Sequence, residues 1–267
     1  STTVATTARS QITVTTAPPR RAATVAFAGD VLIHSGVWAA AQTPAGYDFA
    51  PMLAPIASQL SAADLAICHL EVTLARPEDP LSGYPRFRAP SAVAAGLASS
   101  GFDGCSVASN HALDFGEQGV VATLDALDEA GLGHAGTARS PLEDTQPARY
   151  APGRIEVAHL SYAYGFNGFT PPTDKLWLVD QIDPARILAD ATAARAAGAE
   201  FVIVSLHWGN EYTHDVVPAQ QAVTDALAAS PGVVDLIVGH HAHVVQPITK
   251  VGSMWVVWGM GNLLSNN

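Results

Sequence analysis

Apolar runs that alternate with helical stretches are the feature of this sequence that most restricts its fold. Runs such as TVAFAG, FVIVSL and VVDLIVG have the length of buried strands. Stretches such as GEQGVVATLDALDEAG carry apolar residues at three- and four-residue spacing, as amphipathic helices do. Strands and helices that alternate through short connections pack as layers around a core, so the sequence predicts an α/β layered fold.

The amino-terminal segment differs in composition from the rest of the chain. Residues 1–23 are rich in Thr, Ala, Ser and Pro and contain neither Asp nor Glu, which is typical of a stalk or linker that follows a signal peptide or lipid anchor. Residues 24–267 show no internal repeat and predict one large domain. Because a strand-like run ends directly before Ser-Asn-Asn, a truncation of this domain at its carboxyl end stays open. We expect an extracytoplasmic protein, secreted or anchored at the cell envelope.

The charge of the chain argues against nucleic acid as a partner. The formal net charge is -11, and the only lysines are Lys175 and Lys250. Sequence-independent nucleic-acid binding needs a basic surface that displaces counterions, and the sequence contains no basic run.

The two cysteines lie in runs that predict buried strands, Cys68 in LAICHLEV and Cys105 in DGCSVASNH. We expect two buried free thiols. A bridge between neighbouring strands is the alternative, and two cysteines are too few to indicate a redox compartment.

Five apolar runs each end in side chains that can bind a metal ion or move a proton. In α/β sheets ligands bind at the carboxyl ends of the strands, so we expect these side chains to converge. Any one of them has an ordinary explanation, such as a turn cap for Asp30 or a hydrogen-bonded core histidine for His207, and the prediction rests on the whole set. Carboxylate, amide and imidazole ligands without a thiolate suit Mn, Fe, Zn, Mg or Co. The set is Asp30, Glu71, Asn110, His111, His207, His240, His241 and His243.

The motifs around these residues resemble those of a known family. GDVL, HLEVTL, SNHALDFG, SLHWGNEY and GHHAHVVQP are similar to motifs of the poly-γ-glutamate capsule-synthesis (CapA) family, which is itself similar to the calcineurin-like metallophosphoesterases. FRAP at 87–90, YGFNG at 164–168 and GMGNLL at 259–264 add to the likeness, which covers residues 24–265. The resemblance implies a metallophosphoesterase-like layered fold, with mixed β-sheets flanked by helices, and one or two divalent metal ions (Mn, Fe, Zn or Mg).

The resemblance also implies roles for single residues. His111 matches a histidine that protonates a leaving group, and Glu71 stands where the phosphoesterases have a bridging aspartate. The phosphoesterases begin with Asp-x-His, whereas this chain has no histidine two residues after Asp30, and His34 is the nearest substitute. The implied metal ligands are Asp30, Glu71, Asn110, His207, His241 and His243, and the candidates for supporting or alternative ligands are His34, His69 and His240.

Five further residues near these motifs have two interpretations each. Asp114 either orients the histidine three residues before it and fixes its tautomer, or caps the following helix. Arg86 and Arg88 either form a fork for a substrate carboxylate or phosphate, or belong to a surface loop. Glu211 and Tyr212 either line the mouth of the site or cap their own loop.

Two functions follow from these residues and from the resemblance. The first is a metal-dependent hydrolase, in which an activated water attacks a phosphoester or amide centre and His111 assists the leaving group. The second is a non-catalytic envelope component that binds or guides an anionic polymer such as poly-γ-glutamate, with membrane-bound capsule synthesis proteins as partners. A net charge of -11 repels a polyanion, so a short anionic ligand is easier to accommodate than a long chain. The polymer is implied by the resemblance alone.

Overall fold

The computed structural model describes residues 21–266. Most of the predicted stalk at residues 1–23 lies outside this range, as does the last residue, so the division into stalk and domain and the truncated carboxyl end stay predictions. Within residues 21–266, no helix combines the length and the apolar character that a membrane span requires.

The β-strands of the described residues form two large sheets and two small pairs. In chain order the strands are β1 (Val25–Val31), β2 (Gln42–Thr43), β3 (Gly46–Tyr47), β4 (Leu65–Leu70), β5 (Thr73–Ala75), β6 (Arg88–Pro90), β7 (Gly104–Ser106), β8 (Gly133–Ala135), β9 (Ala148–Tyr150), β10 (Val157–Ala163), β11 (Phe201–His207), β12 (Leu236–His240), β13 (Ile248–Val251), β14 (Met254–Val257) and β15 (Asn262–Leu264). The first large sheet has the order β15-β1-β4-β7-β8 and is parallel throughout. The second has the order β13-β14-β12-β11-β10-β9, with antiparallel pairs at both edges.

All but the shortest of the helices of the same range contribute buried residues to the apolar clusters of the two large sheets. In chain order they are α1 (Ser35–Ala40), α2 (Ala50–Ser61), α3 (Ala92–Ser99), α4 (Gly116–Glu129), α5 (Pro141–Asp144), α6 (Pro184–Ala196) and α7 (Pro218–Ala228). Leu53 of α2 and Leu124 of α4 share an apolar cluster with Cys68 and Leu70 of β4. A separate cluster joins α6 and α7 to the second sheet. Each sheet therefore buries one face under helices.

The inner faces of the two sheets pack against each other. Leu65 and Ile67 of β4 share a buried cluster with Val157, Ile203 and Val238 from three strands of the second sheet. The layers are therefore helix, sheet, sheet and helix, which confirms the predicted fold of mixed β-sheets flanked by helices.

Two glycines allow the strand ends to approach closely. A Cβ atom at Gly29 would collide with the carbonyl oxygen of Gly261, and one at Gly239 would collide with the carbonyl oxygen of Trp258. Each of these glycines directly precedes a candidate ligand, at the end of β1 and at the end of β12 respectively. The absence of a side chain at these positions lets the neighbouring backbone pack beside the site.

The sequence prediction and the structure differ in a few places. The run ARYAPGRIEVAHLSYAYG predicts a hairpin that turns at Pro152-Gly153, and the antiparallel pair β9-β10 confirms it. The prediction of free thiols was wrong, because Cys68 and Cys105 lie directly opposite each other on β4 and β7 and form a disulfide, with Cα atoms 4.4 Å apart. The strand β8 and the small pairs β2-β3 and β5-β6 were not predicted, since runs of two or three residues carry no periodic signal.

Candidate metal centre

The carboxyl ends of strands from both large sheets converge on one cluster of polar side chains. Asp30 is paired in register with His69 on β1 and β4, and His207 is paired with His240 on β11 and β12. The loops that follow the strands supply the remaining members, and the whole predicted set is buried. The exposed fractions are Asp30 0%, Glu71 1%, Asn110 3%, His111 6%, His207 1%, His240 2%, His241 4% and His243 9%.

The carboxylate of Asp30 is held by the histidine loop of the other sheet. Its Oδ1 lies 3.0 Å from Nδ1 of His240, and its Oδ2 lies 3.0 Å from Nδ1 of His243. The backbone N–H of His241 also donates to Oδ2, at 3.3 Å. Burial favours the neutral acid, but the hydrogen bonds from His240 and His243 outweigh burial and hold the pKa of Asp30 well below its usual range. Asp30 is therefore a charged carboxylate at neutral pH.

The carboxylate of Glu71 has no such support. Within the described part of the chain, neither of its buried oxygens has a hydrogen-bond partner. Its Oε1 lies 3.7 Å from Nε2 of His207 and 3.6 Å from Nε2 of His243. Burial, and then the charges of Asp30 and Glu211, raise the pKa of Glu71 well above its usual value. A buried carboxylate without a donor is costly, and a divalent cation would supply the missing partner, so these residues fit a bound metal.

A chain of hydrogen bonds connects the buried imidazoles. Nδ1 of His69 lies 2.8 Å from Oγ of Ser106, and Nε2 of His69 lies 2.9 Å from Nδ1 of His207. Nε2 of His207 is in turn 2.9 Å from Oδ1 of Asn110. Burial and the neighbouring histidines lower the pKa of His69 and of His207 well below the usual value, and lower the pKa of His241 to about 4. Neutral imidazoles keep the lone pair that a metal ligand needs.

Three groups of donors among the described residues are compact enough to hold a cation. Within each group the candidate ligand atoms lie within 4.8 Å of one another, and Glu71 belongs to two of the groups. Glu71 would therefore belong to the ligand set of a metal ion held by either of these two groups. The groups are Asp30–His69–His240, His69–Glu71–His207 and Glu71–His241–His243.

Two histidines that the sequence places in supporting roles belong to these groups. His69 and His240 stack with ring centroids 4.0 Å apart, and each is a member of a donor group. His34, in contrast, lies outside the three groups. Its ring meets Phe87 edge-on at 4.9 Å, and its buried Nε2 has no hydrogen-bond partner among the described residues.

The candidate proton donor His111 is oriented by Asp114. Nδ1 of His111 lies 2.8 Å from Oδ2 of Asp114, which also accepts the backbone N–H of Phe87 at 2.6 Å. The ring packs edge-on against Phe87, with centroids 4.6 Å apart. The helix α4 begins after Phe115 without a side-chain cap, so the structure favours the orienting role of Asp114 over the capping role. We infer from this network that Nδ1 carries a proton and that Nε2 is left for a ligand.

The two arginines proposed for substrate binding both contact groups of the protein. Arg86 donates to the backbone carbonyl of Asp114, and its guanidinium lies 4.8 Å from the ring centroid of Phe115. Arg88 lies 3.6 Å from the same centroid and forms an ion pair with Asp79 at 3.2 Å. Both guanidiniums therefore brace the loop that carries His111 and Asp114, and their contact with substrate stays a prediction.

Aromatic side chains surround the mouth of the site. The ring of Tyr164 lies 4.7 Å from that of His241, and the ring of Tyr212 lies 5.9 Å from that of His243. Glu211 is exposed beside them and affects the site through its charge, which raises the pKa of Glu71. Glu211 and Tyr212 are thus close to the site, as the mouth interpretation requires.

Sequence reasoning assigned no individual role to Tyr164, Ser106 and Asn262, and proposed Asn167 only as a residue that lines the pocket. Asn167 contacts both His111 and Asn110, and Asn262 lies 2.8 Å from Nδ1 of His243. Tyr164 and Ser106 contact the imidazoles as described above. Tyr164 and Asn167 lie in the motif YGFNG at 164–168, and Asn262 lies in GMGNLL at 259–264. Ser106 lies in the strand before SNHALDFG and outside these motifs.

The histidine loop has an unusual backbone. His241 has φ 84° and His243 has φ 56°, both in the left-handed region. For a residue other than glycine this conformation costs about 1 kcal/mol or more, and such residues gather at functional sites. This backbone conformation lets the His241 N–H and the His243 imidazole both hydrogen-bond to Oδ2 of Asp30.

Comparison with known proteins identifies a family that matches the whole domain and relatives that match about 60% of the chain. Residues 24–267 match the family model for bacterial capsule synthesis protein PGA_cap. The capsule biosynthesis protein CapA of Bacillus anthracis is 28% identical over 169 residues, which cover 62% of this chain and 40% of that protein. The PGA biosynthesis protein CapA of Bacillus subtilis is 29% identical over 164 residues, which cover 59% of this chain and 41% of that protein. The match thus spans about two fifths of the length of these curated relatives.

A solved structure supports the fold. A Staphylococcus aureus protein provisionally assigned as a 5'-nucleotidase matches with a TM-score of 0.54 and 14% identity, over 88% of this chain and 48% of that one. At this identity the likeness concerns the fold alone. The fold is the layered one of the calcineurin-like metallophosphoesterases, as predicted, and its histidine, aspartate and glutamate clusters are compatible with divalent metal ions.

Proposed function

This chain belongs to the bacterial capsule synthesis protein PGA_cap family, and we propose that it is a divalent-metal-dependent hydrolase that cleaves a phosphoester or amide bond in the biosynthesis of a capsule polymer. The observation that supports this most strongly is the carboxylate of Glu71. It is buried between two sets of imidazoles, and no donor among the described residues reaches either oxygen. One or two divalent cations would complete this arrangement.

The donor groups contain the residues that would bind the metal. A bound divalent ion would polarise a phosphoryl or carbonyl oxygen and lower the pKa of a water molecule. Asp30 is fixed in position by its hydrogen bonds to the histidine loop, and the imidazoles of His69 and His207 are neutral because burial lowers their pKa values. The residues that would hold the metal are Asp30, His69, Glu71, Asn110, His207, His240, His241 and His243.

The pair formed by His111 and Asp114 would deliver the proton. Asp114 accepts from Nδ1 and stabilises the imidazolium, so the transferable proton resides on Nε2. As the bond to the leaving group breaks, this proton goes to the departing oxygen or nitrogen and yields a neutral alcohol or amine. Phe87 packs against the ring and restricts its rotation.

We also propose that the substrate is an anionic small molecule or the end of an anionic polymer, and that the protein acts outside the cytoplasm beside membrane-bound capsule synthesis proteins. The family supports the process, and the exposed rings of Tyr164 and Tyr212 at the mouth provide a surface for a ligand. The net charge of -11 favours a short ligand over a long polyanion.

The test is the metal content of the chain and its dependence on one ligand. Plasma mass spectrometry should find about two equivalents of Mn, Fe, Zn or Mg per chain, the number that a binuclear site holds. The variant His241→Ala should lose metal and should lose turnover of a chromogenic phosphodiester or of a γ-glutamyl anilide. His134→Ala, which alters a histidine of β8 that pairs with Asp128, is the matched control and should retain both. A chain that takes up no metal after reconstitution contradicts the proposal.

A non-catalytic role is the second candidate, and the names of the relatives favour it. The Bacillus subtilis relative is named for the biosynthesis of a polymer rather than for a hydrolysis. In this role metal in the site would bridge carboxylates of an anionic polymer. Calorimetry with γ-linked glutamate oligomers, with and without chelator, distinguishes the two. Metal-dependent binding without cleavage supports the second role, and the absence of binding under both conditions contradicts it.

A further inference from the structure

A cavity lies apart from the metal centre. It has a volume of about 570 Å³, within the range of small-molecule sites, and it opens between α5, α6 and the edge of β10. Leu160 and Ala194 contribute apolar wall, and none of the residues in the three metal-donor groups lines it. The polar residues that matter below are Asp144, His159, Ser161, Asp180, Arg186 and Asp190.

The cavity lies beside β10 where no neighbouring strand pairs with it at the edge of the second sheet. The edge strand β9 pairs with β10 only as far as His159. Beyond this unpaired stretch, Ala163 donates its N–H to the carbonyl of Asp180 and accepts the N–H of Ile182. Residues two apart on a strand turn their backbone polar groups to the same side, so the N–H and carbonyl of Ser161 also point towards this edge. Between the two flanking segments a ligand can reach them.

Two buried side chains present polar atoms that have no partner. Oγ of Ser161 and Nδ1 of His159 have no hydrogen-bond partner among the described residues, although Ser161 is 1% exposed and His159 is 0% exposed. Nε2 of His159 is already engaged by Oγ of Ser205 at 2.9 Å. Buried polar atoms are normally satisfied, and both of these residues line the cavity. They are suited to hydrogen-bond a hydroxyl group.

The outer wall carries more negative charge than positive charge. Three carboxylates share one guanidinium, since Arg186 contacts Asp144 at 2.9 Å, Asp180 at 2.8 Å and Asp190 at 3.2 Å. Burial, together with the neighbouring carboxylates, raises the pKa of Asp180 to about 8 despite the attraction of Arg186. A second cation at this wall would therefore be stabilised.

These features specify the chemistry of a ligand. We propose that the cavity binds a small polyhydroxylated primary amine, of the size of an amino sugar. Its ammonium group pairs with the carboxylates of Asp144 and Asp180, and its hydroxyl groups hydrogen-bond to Ser161 and His159. A metal ion is a poorer occupant, because the compact donor groups of the described residues all lie at the other site. The proposal does not depend on hydrolysis at the metal centre.

The test is calorimetry on the full chain with glucosamine, and with glucose and N-acetylglucosamine as ligands that lack the ammonium. Glucosamine should bind once per chain and the two neutral sugars at least about tenfold more weakly. The isotherm should be the same in metal-loaded and chelator-treated protein, which separates this site from the metal centre. Equal affinity for all three sugars, or no binding of glucosamine at millimolar concentration, overturns the proposal.

Variants locate the binding. Asp180→Asn removes one carboxylate at nearly constant shape, and Ala193→Phe adds a ring at the exposed mouth of the cavity. Both should weaken glucosamine binding at least about tenfold. Ala196→Phe adds the same ring to an exposed position of α6 that does not line the cavity, and should bind as the unmodified chain does. Unchanged binding to Ala193→Phe would place the amine elsewhere and overturn the assignment.

Discussion

His240 and Asp30 are 210 positions apart in the chain and are joined at the site, with Nδ1 of the histidine 3.0 Å from Oδ1 of the carboxylate. One residue ends β12 of the second sheet and the other lies near the end of β1 of the first. The residues of the candidate metal centre therefore also connect the two sheets through hydrogen bonds. Its geometry exists only when both sheets are folded and packed.

The carboxylate of Glu71 should destabilise the metal-free protein. Because burial raises its pKa, the folded state binds a proton more tightly than the unfolded state, and stability falls as the pH rises above the usual value of 4.5. Glu71→Gln should raise the free energy of unfolding of chelator-treated protein at neutral pH by about 1–3 kcal/mol and should abolish metal binding. Urea denaturation and metal analysis measure the two effects. Glu211→Gln, at an exposed carboxylate nearby, is the control and should retain metal. A Glu71→Gln protein that is less stable than the unmodified chain would contradict this account.

The role of His111 should depend on the leaving group. His111→Asn should lower kcat about 10²–10⁴-fold for an alkyl phosphodiester, whose leaving group needs a proton. For a nitrophenyl ester the loss should be much smaller, because nitrophenolate departs without one. Metal content should not change. Equal losses for both esters would indicate that His111 has a structural role.

The guanidinium of Arg88 should contribute to stability rather than to substrate affinity. It packs over Phe115 and pairs with Asp79, and its side chain is largely buried. Arg88→Met should lower the free energy of unfolding by about 1–3 kcal/mol, since it leaves Asp79 without this partner. KM should stay within about twofold, which steady-state kinetics can check. A large rise in KM with unchanged stability would instead support the substrate-binding prediction.

The bridge between Cys68 and Cys105 should be found in the isolated protein. The two cysteines are separated by 37 positions, and closing a loop of this length is worth about 4 kcal/mol in the chain-entropy model. Mass spectrometry without reductant should show the linked peptides. The double variant Cys68→Ala and Cys105→Ala should unfold at lower urea concentration, with little change in metal content. Free thiols in protein prepared under oxidising conditions would contradict the bridge.

The buried histidine His159 should make stability sensitive to acid. Burial, followed by the charge of His240, lowers its pKa to about 3 from the usual 6.5, so its contribution to stability is present above pH 6.5 and is lost as the pH falls from 6.5 towards 3. His159→Gln should reduce the acid slope of the unfolding free energy by up to about 1.4 kcal/mol per pH unit. Urea denaturation at several pH values measures the slope. An unchanged slope in His159→Gln would contradict the assignment.

Local sequence predicts where a strand ends, but it does not predict which distant residues that strand end will contact. An apolar run followed by a polar residue identified Asp30, His207 and His240, because the end of a strand is visible locally. The contact of His69 with His207 could not be foreseen, since the partner lies 138 positions away in another sheet. The bridge between the cysteines depends in the same way on the register of β4 and β7.

The arginines illustrate a different limit. A guanidinium in an acidic protein is a reasonable ligand for an anion, and the local sequence does not show which acceptor it will meet. Here Arg86 meets a backbone carbonyl of the loop that holds the proton donor. Charge patterns indicate what a side chain can bind, and only the packing of the chain determines what it does bind.

The left-handed backbone at His241 and His243 has a consequence for laboratory evolution of this protein. A library selected for thermal stability alone should accumulate glycine or asparagine at these two positions early, because either residue relieves the conformational cost. Selection for function should restore histidine there. The residues found at these two positions would thus show whether a population was selected for activity or only for thermal stability.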